Sequence, residues 1–444
     1  MKNNETAETK DAKKEAAKSR RKKRNRITLI ILAAVVAGCL LWTLGISKLI
    51  KPGKIEGFEQ AVTEISAITI PEGTRIVGLG EATHGNSEFQ QLKLDVFRRL
   101  VESTNIRGFI LEGDMGGCAL VNEYIQGGEG TAREMCGYLG YKIYNTKEMC
   151  ELIDWMREYN AKAPENDKVR LYGNDIQYCT RVIRILKNGY ERIDDAKYRE
   201  YSQQLDQHFG TEEDQYDPSK LDDILAFTAA MKKDIADNKE AYSAVLGSFD
   251  YEVFAKALDN LEYYLHYRET EKYSAKYRDR MAKDNVDWAL GIEESSYGSG
   301  LMLSCHNDHM SCAQATNFTF LGVYLQEEYG DAYFAIGTDF YITEDNIRGN
   351  SGRELHTLCS DDPLAYQLKD LPGKMYYLDF SKADKNSALG KKIHSRIPLG
   401  TVGEAYSPIY AVYKGGYQLR QVPAEKYDAM ILVYEATPIE VLAE

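Results

Sequence analysis

Polar, mostly ionisable side chains stand in pairs directly after four short apolar runs of this 444-residue chain. Glu81 and His84 follow Arg75 to Leu79 (RIVGL), and Glu112 and Asp114 follow Arg107 to Leu111 (RGFIL). Asp175 and Gln177 follow Val169 to Tyr172 (VRLY), and His306 and His309 follow Leu301 to Ser304 (LMLS). Imidazole titrates near neutrality and can take a proton from water, while an adjacent carboxylate stabilises the imidazolium that results. His84 precedes a helical pattern. Ser87 with Gln90 has the form of a capping box, and Phe89, Leu92, Val96, Phe97, Leu100 and Val101 keep helical spacing. A helix N-terminus disfavours imidazolium, whereas Glu81 or Glu112 favours it, so the two together hold His84 near working pH. Gly80 and Gly85 bracket the step, as expected of a tight loop whose backbone approaches substrate closely.

His306 and His309 are three residues apart, a spacing that on a helical turn puts both rings on one face. Such a pair suits a divalent metal, and equally a developing oxyanion. Arg278, in Arg278-Asp279-Arg280, belongs to a helix-patterned segment reaching Asn285 and Trp288. Its guanidinium is either part of a solvated charged face or a clamp for a carbonyl or carboxylate. Taken singly, each residue has an ordinary structural reading: a lone histidine is more often a hydrogen-bonded scaffold residue, Glu112 a helix cap, Asp175 an Asx turn. Four strand ends carrying the same palette argue otherwise. No HExxH and no GxSxG occurs, so activated water is the expected nucleophile rather than zinc-peptidase or serine chemistry.

The elements that must position these residues are six predicted strands, the four runs above with Tyr333 to Ile336 (YFAI) and Ala429 to Tyr434 (AMILVY), alternating with helical patterns. This predicts an α/β fold, a mostly parallel central sheet flanked by helices, whose ligand site lies beyond the carboxyl ends of the strands. Residues 178–290, charge-rich and helix-patterned, read as a helical insertion subdomain. The N-terminal part differs in kind. Residues 1–26 hold eleven Lys/Arg against four acidic residues, a charge of +7 that leaves −20 on the rest of a chain carrying −13 overall. So acidic a body excludes nucleic acid as a partner. Ile27 to Ile46 (ITLIILAAVVAGCLLWTLGI) is uncharged and about the length of a membrane-crossing helix. The expected organisation is a basic cytoplasmic tail (1–26), a single transmembrane anchor (27–47), a stalk (48–56) and an extracytoplasmic hydrolase domain (57–444). A lipidated Cys39 within Val36-Ala37-Gly38-Cys39 is the rival form of tether. The remaining seven cysteines are odd in number and lack the spacing of a disulfide scaffold or a CxxC zinc site.

Gly78-Leu79-Gly80-Glu81-Ala82-Thr83-His84-Gly85, continued by Glu88-Phe89, resembles the GLGExTHGxxEF signature of the erythromycin esterase family. Leu111-Glu112 is similar to its second-strand glutamate, Gly173 to Gln177 to its GxDxQ step, and Arg278-Asp279 with Asn285 and Trp288 to its RDxxMAxNxxW helix. His306-Asn307-Asp308-His309 resembles its HNxH motif, and Gly322 to Leu325 the GxxL helix that follows. The resemblance spans about Glu56 to Pro438. It implies metal-independent hydrolysis of an ester or lactone, with no cofactor, His84 as base, Glu81 and Glu112 orienting it, and His306, His309 and Arg278 on the substrate carbonyl and oxyanion. Glu88, Lys93, Asp175 and Gln177 are the further substrate contacts it suggests. Ala282-Lys283 stands where the family has Met-Ala, and the anchor contrasts with soluble family members. Two alternatives accompany the esterase reading: a metal-dependent hydrolase built on the same His/Glu cluster, and a non-catalytic surface protein that binds haem or another ligand.

Overall fold

In the computed structural model, residues 7–41, 51–209, 216–269, 274–314, 319–411 and 413–443 are described. They divide into two units, Met1–Gly53 with Ser407–Gly416, and Lys54–Tyr406 with Tyr417–Glu444. The strands of the larger unit are, in chain order, β1 (Val62–Thr63), β2 (Ile76–Glu81), β3 (Ile106–Asp114), β4 (Arg170–Asp175), β5 (Gly300–His306), β6 (Tyr333–Arg348), β7 (Arg353–Cys359), β8 (Met375–Asp379), β9 (Ile397–Gly400), β10 (Gln418–Gln421) and β11 (Ala429–Ala436). Nine of them form one sheet in the order β1-β8-β11-β6-β2-β5-β3-β4, with β7 paired to β6; β9 and β10 make a separate two-stranded ribbon.

The six strands read from the sequence are the six that run parallel, β11-β6-β2-β5-β3-β4. Every residue of β2, β4 and β5 is buried, as expected of strands covered on both faces. The sequence reading passed over β1, β7 and β8, which pair antiparallel. β1 is two residues long and β7 is largely part-exposed, so neither offers a continuous apolar run. Helix Ser87–Ser103 connects β2 to β3 and buries Phe89, Leu92, Val96, Phe97, Leu100 and Val101. Its start differs from expectation: Asn86 is the N-cap, no side chain caps the helix, and the Ser87 hydroxyl donates to Glu148 instead.

Between β4 and β5 lie helices Thr180–Ile193, Asp195–Phe209, Leu221–Asp237, Lys239–Leu246, Ser248–Glu269 and Ala275–Ile292. The first five share an apolar core of their own around Leu186, Tyr190, Met231 and Leu261. Helix Ala275–Ile292 returns to the sheet, where Val286, Ala289 and Leu290 join the core formed by Ile76, Leu303 and Leu432. That return carries Arg278 to the strand ends.

In the smaller unit one helix, Ala7–Leu41, runs without interruption through the basic cluster and into the apolar segment. Among the described residues no helix is long and apolar enough to cross a membrane. The described helix includes only 15 residues of the expected anchor, Ile27 to Leu41, short of the roughly 20 a bilayer requires. Residues 42–47 of that anchor and 48–50 of the stalk lie outside the described residues.

At the end of the sheet away from the strand carboxyl termini, Arg170 donates to both oxygens of Glu293 at 2.6 and 2.7 Å, and Tyr172 Oη donates to the same carboxylate at 2.5 Å. Both members of the pair are buried. Removing one partner strands the other charge in a dry site. Glu293→Ala is therefore expected to destabilise the larger unit by about 3–5 kcal/mol, read as a lowered denaturation midpoint; an unchanged midpoint would show the pair to be dispensable.

Candidate active site

Parallel pairing of β2 with β5 sets Glu81 opposite His306, so the last residues of two adjacent strands share one end of the sheet. The loop after β2 is fixed by long-range bonds. The Ala82 N–H donates to Thr338 Oγ1 (2.8 Å), Thr83 Oγ1 to Asp345 Oδ2 (2.7 Å), and Asn86 Nδ2 to the carbonyls of Glu344 and Thr437 (2.9 and 3.0 Å). The two bracketing glycines also have a packing reason. A Cβ at Gly80 would lie 2.2 Å from Asn307 Oδ1, and one at Gly85 would lie 2.0 Å from Asp345 Oδ1. The protein's own side chains already approach both glycines closely.

Glu81 is divided between two cations. Its Oε1 meets His84 Nδ1 at 2.6 Å and its Oε2 accepts from Lys93 Nζ at 2.5 Å. Burial alone pushes the Glu81 carboxyl up, and the charges of Lys93 and His84 overcome this and hold it down at about 2. For His84 burial opposes the charged form, but the charge and hydrogen bond of Glu81, then Glu112, carry it above its ordinary value. The carboxylates thus decide the balance that the sequence left between them and the helix terminus. Lys93, in the second turn of helix Ser87–Ser103, is 0% exposed. Read from the resemblance as a substrate contact, it is placed here as a buried counter-ion of Glu81 and does not line the cleft.

Arg278 gathers the other strand ends. Its Nη2 donates to Glu112 Oε1 at 2.7 Å, and its Nε and Nη2 donate to the two oxygens of Asp175 at 2.9 and 3.0 Å. The charges of Asp175 and Glu112 outweigh burial and push its pKa further up. Glu112 sits where the β3–β4 register shifts, between Leu111 and Asp114; its Oε2 accepts the His306 backbone N–H at 2.8 Å. Asp175 also accepts from Tyr141 Oη and, at 2.9 Å, from Gln177 Nε2.

The two histidines of the fourth step behave oppositely. His309 Nδ1 lies 2.8 Å from Asp279 Oδ2 and its Nε2 lies 3.5 Å from Glu112 Oε1. Against burial, Glu112 and Asp279 raise it to about 9, so it is a cation at neutral pH. Burial pushes His306 down to about 4, with the charges of His84 and His309 adding to the effect and Asp308 opposing it. His306 is neutral. Its Nδ1 accepts the Asp308 N–H at 3.4 Å, which leaves the proton on Nε2, a buried atom with no hydrogen-bond partner among the described residues. The His306 and His84 rings are 5.1 Å apart.

Of these groups His84, Glu112, Gln177 and Arg278 line a cleft of about 820 Å³, with Glu81, Asp175, His306 and His309 behind its surface; its other walls include Tyr141, Lys142, Tyr144, Tyr178, Arg348, Arg353 and Glu404. The residues of these other walls were absent from the sequence reading. Tyr141 to Tyr144 follow no strand, and Arg348, Arg353 and Glu404 are brought in by the β6–β7 hairpin and the bridge between Arg348 and Ala405, which no local pattern announces. Glu88, expected at the substrate, is elsewhere: its carboxylate accepts the Thr437 N–H (2.7 Å) and hydroxyl (2.8 Å), tying the helix to the C-terminal segment. Asp114 pairs with Arg181 at 3.2 Å and does not line the cleft. Among the described residues no three His, Cys, Asp or Glu side chains converge as metal donors; Nδ1 of both His84 and His309 faces a carboxylate.

The fold is an α/β sheet with histidines, acids and an arginine at its carboxyl edge. The erythromycin esterase family model matches residues 101–436, and the chain belongs to that family. The match begins after Glu81, His84 and Lys93, so these three stand on geometry. A Bacillus subtilis (strain 168) protein named "Putative hydrolase YbfO" is 23% identical over 404 residues, 83% of this chain and 85% of that one. Among solved structures, a Bacillus cereus protein superposes with a TM-score of 0.70 at 21% identity, covering 84% of this chain and 91% of its own. A histidine-to-asparagine mutant of the erythromycin esterase EreC in its open conformation gives 0.58 at 16%, covering 84% and 93%. The two structures share this fold. Family membership points to a hydrolase acting on ester bonds of a small molecule.

The Lys93–Glu81–His84 chain makes a signed prediction for the His84 titration followed by imidazole NMR. Lys93→Met removes a nearby positive charge and is expected to raise the midpoint further. The double variant Glu81→Gln/Lys93→Met leaves burial less opposed and lowers it below wild type. Midpoints that do not move would separate His84 from both neighbours.

Proposed function

We propose that the chain hydrolyses carboxylic esters or lactones by a water molecule that His84 deprotonates, without a metal or other cofactor. The observation carrying this reading is the orientation of one ring: His84 is held at Nδ1 by Glu81 and borders the cleft, and no hydrogen bond engages its Nε2 among the described residues. Water on Nε2 would lose a proton to it while attacking the carbonyl carbon, and Glu81 would stabilise the resulting imidazolium. The His306 Nε2–H, His309 and Arg278 are the available donors and charges for the oxyanion. Collapse of the tetrahedral intermediate would return the proton from His84 to the leaving alkoxide. Gln177 and Asp175 serve as wall and as anchor for Arg278.

A panel of macrolides and chromogenic esters tests this with the full chain. His84→Ala is expected to lower kcat by roughly 10²–10⁴ with the fold retained, and turnover is expected to persist with chelator. Because His84 must be neutral to act, kcat/KM should climb as pH rises through a midpoint above 6.5 and fall again near 9 as His309 loses its charge. Chelator-sensitive turnover, or a rate indifferent to His84, would overturn the assignment.

The same proposal puts the hydrolase domain outside the cell, tethered through residues 27–47. The +7 of residues 1–26 ahead of an uncharged apolar run supports it. Full-length protein should stay in alkaline-washed membranes and be digested by protease added to intact spheroplasts. Recovery in the soluble fraction would contradict the tether.

A further inference from the structure

One wall of the cleft is built from a segment bounded by two cysteines. Cys136 ends helix Ala132–Cys136, and Cys150 lies in the first turn of helix Lys147–Asn160. Their Sγ atoms are 3.2 Å apart. Both flanking helices are firmly started: Thr131 and Glu134 form a reciprocal capping box, and Thr146 Oγ1 accepts the Met149 N–H. The thiols therefore face each other from two anchored elements rather than from loose loops. Between them lie Tyr141, whose hydroxyl donates to Asp175, and Tyr144, whose hydroxyl donates to the Glu112 carbonyl at 3.0 Å.

We propose that Cys136 and Cys150 form a disulfide that closes a 15-residue ring and fixes the Tyr141–Tyr144 wall of the cleft. Of the two, Cys136 is 1% exposed whereas Cys150 is only part-buried, so reaction begins at Cys150. The hydrogen bond with the Cys136 thiol holds it below its ordinary value, with the Arg133 charge acting in the same direction against burial. The oxidant is a small-molecule or protein disulfide. Cys150 thiolate attacks one of its sulfurs and expels a thiolate; Cys136, losing its proton, then attacks Cys150 Sγ of the mixed disulfide and expels the second. Two protein thiols give up two protons and two electrons, and the oxidant leaves as two thiols. The ring confines the segment in its open states, so the expected effect is on local opening more than on the closed geometry.

The test uses the full chain equilibrated in glutathione buffers from fully reduced to fully oxidised, blocked with N-ethylmaleimide and digested without reduction. Trypsin cuts after Arg133, Lys142, Lys147 and Arg157, which places the cysteines in separate peptides, 134–142 and 148–157. In oxidised buffer these two are expected as one cross-linked species, two hydrogens lighter than their sum and split by reductant. Amide exchange across residues 137–145 should slow, at most by roughly a hundredfold for a ring of this size. Cys136→Ser and Cys150→Ser should each abolish both effects while leaving exchange elsewhere in the sheet unchanged. No cross-link in fully oxidised buffer, a cross-link joining either residue to another cysteine, or equal exchange in the two redox states would overturn the proposal.

Discussion

Two carboxylates and a guanidinium at the carboxyl edge of the sheet constrain everything around them. Glu112 from β3 and Asp175 from β4 are both buried, where a carboxylate without a partner is costly. Arg278 satisfies both, and it reaches them only because helix Ala275–Ile292 packs back on the sheet after the helical excursion that follows β4. The second oxygen of Glu112 takes the backbone N–H of His306, tying β5 to β3 at the same point. Removing Arg278 would leave two buried negative charges facing each other, so the cluster stands or falls as a unit.

From this cluster follows a division of labour among three histidines. His309, beside Glu112 and Asp279, is held cationic. His306 has only the more distant Asp308 carboxylate at Nδ1 and is kept neutral by burial. His84 lies between these cases, drawn up by Glu81 whose own charge is shared with Lys93. Three imidazoles in one cluster, of which His84 lines the cleft, thus differ in charge, and on the proposed mechanism they would serve as base, neutral donor and cation. The family to which the chain belongs is in keeping with that chemistry.

Much of this was legible in the sequence because parallel strands announce themselves. Buried on both faces, they read as apolar runs, and the residues that end them read as the site; Glu81, His84, Glu112, Asp175 and His306 came from that logic, whereas Arg278 came from a helix-patterned segment and the family resemblance. What escaped depends on partners distant in sequence. Lys93 and Glu88 lie on the helix after the His84 motif, yet one turns inward to Glu81 and the other clasps Thr437, 349 residues away. Gly80 and Gly85 are small for Asn307 and Asp345, contacts that composition does not reveal. The walls at Tyr141, Arg348 and Glu404 come from irregular segments and a polar hairpin, where neither period 2 nor period 3.6 marks the residues.

The central claim is that water, not a protein side chain, attacks the scissile carbonyl. Single-turnover hydrolysis of the best ester in ¹⁸O-labelled water, with intact-mass analysis of the protein during the turnover, tests it directly. The account predicts one labelled oxygen in the released acid and no acylated protein at any time. An acyl adduct that forms and decays at the rate of turnover would contradict it.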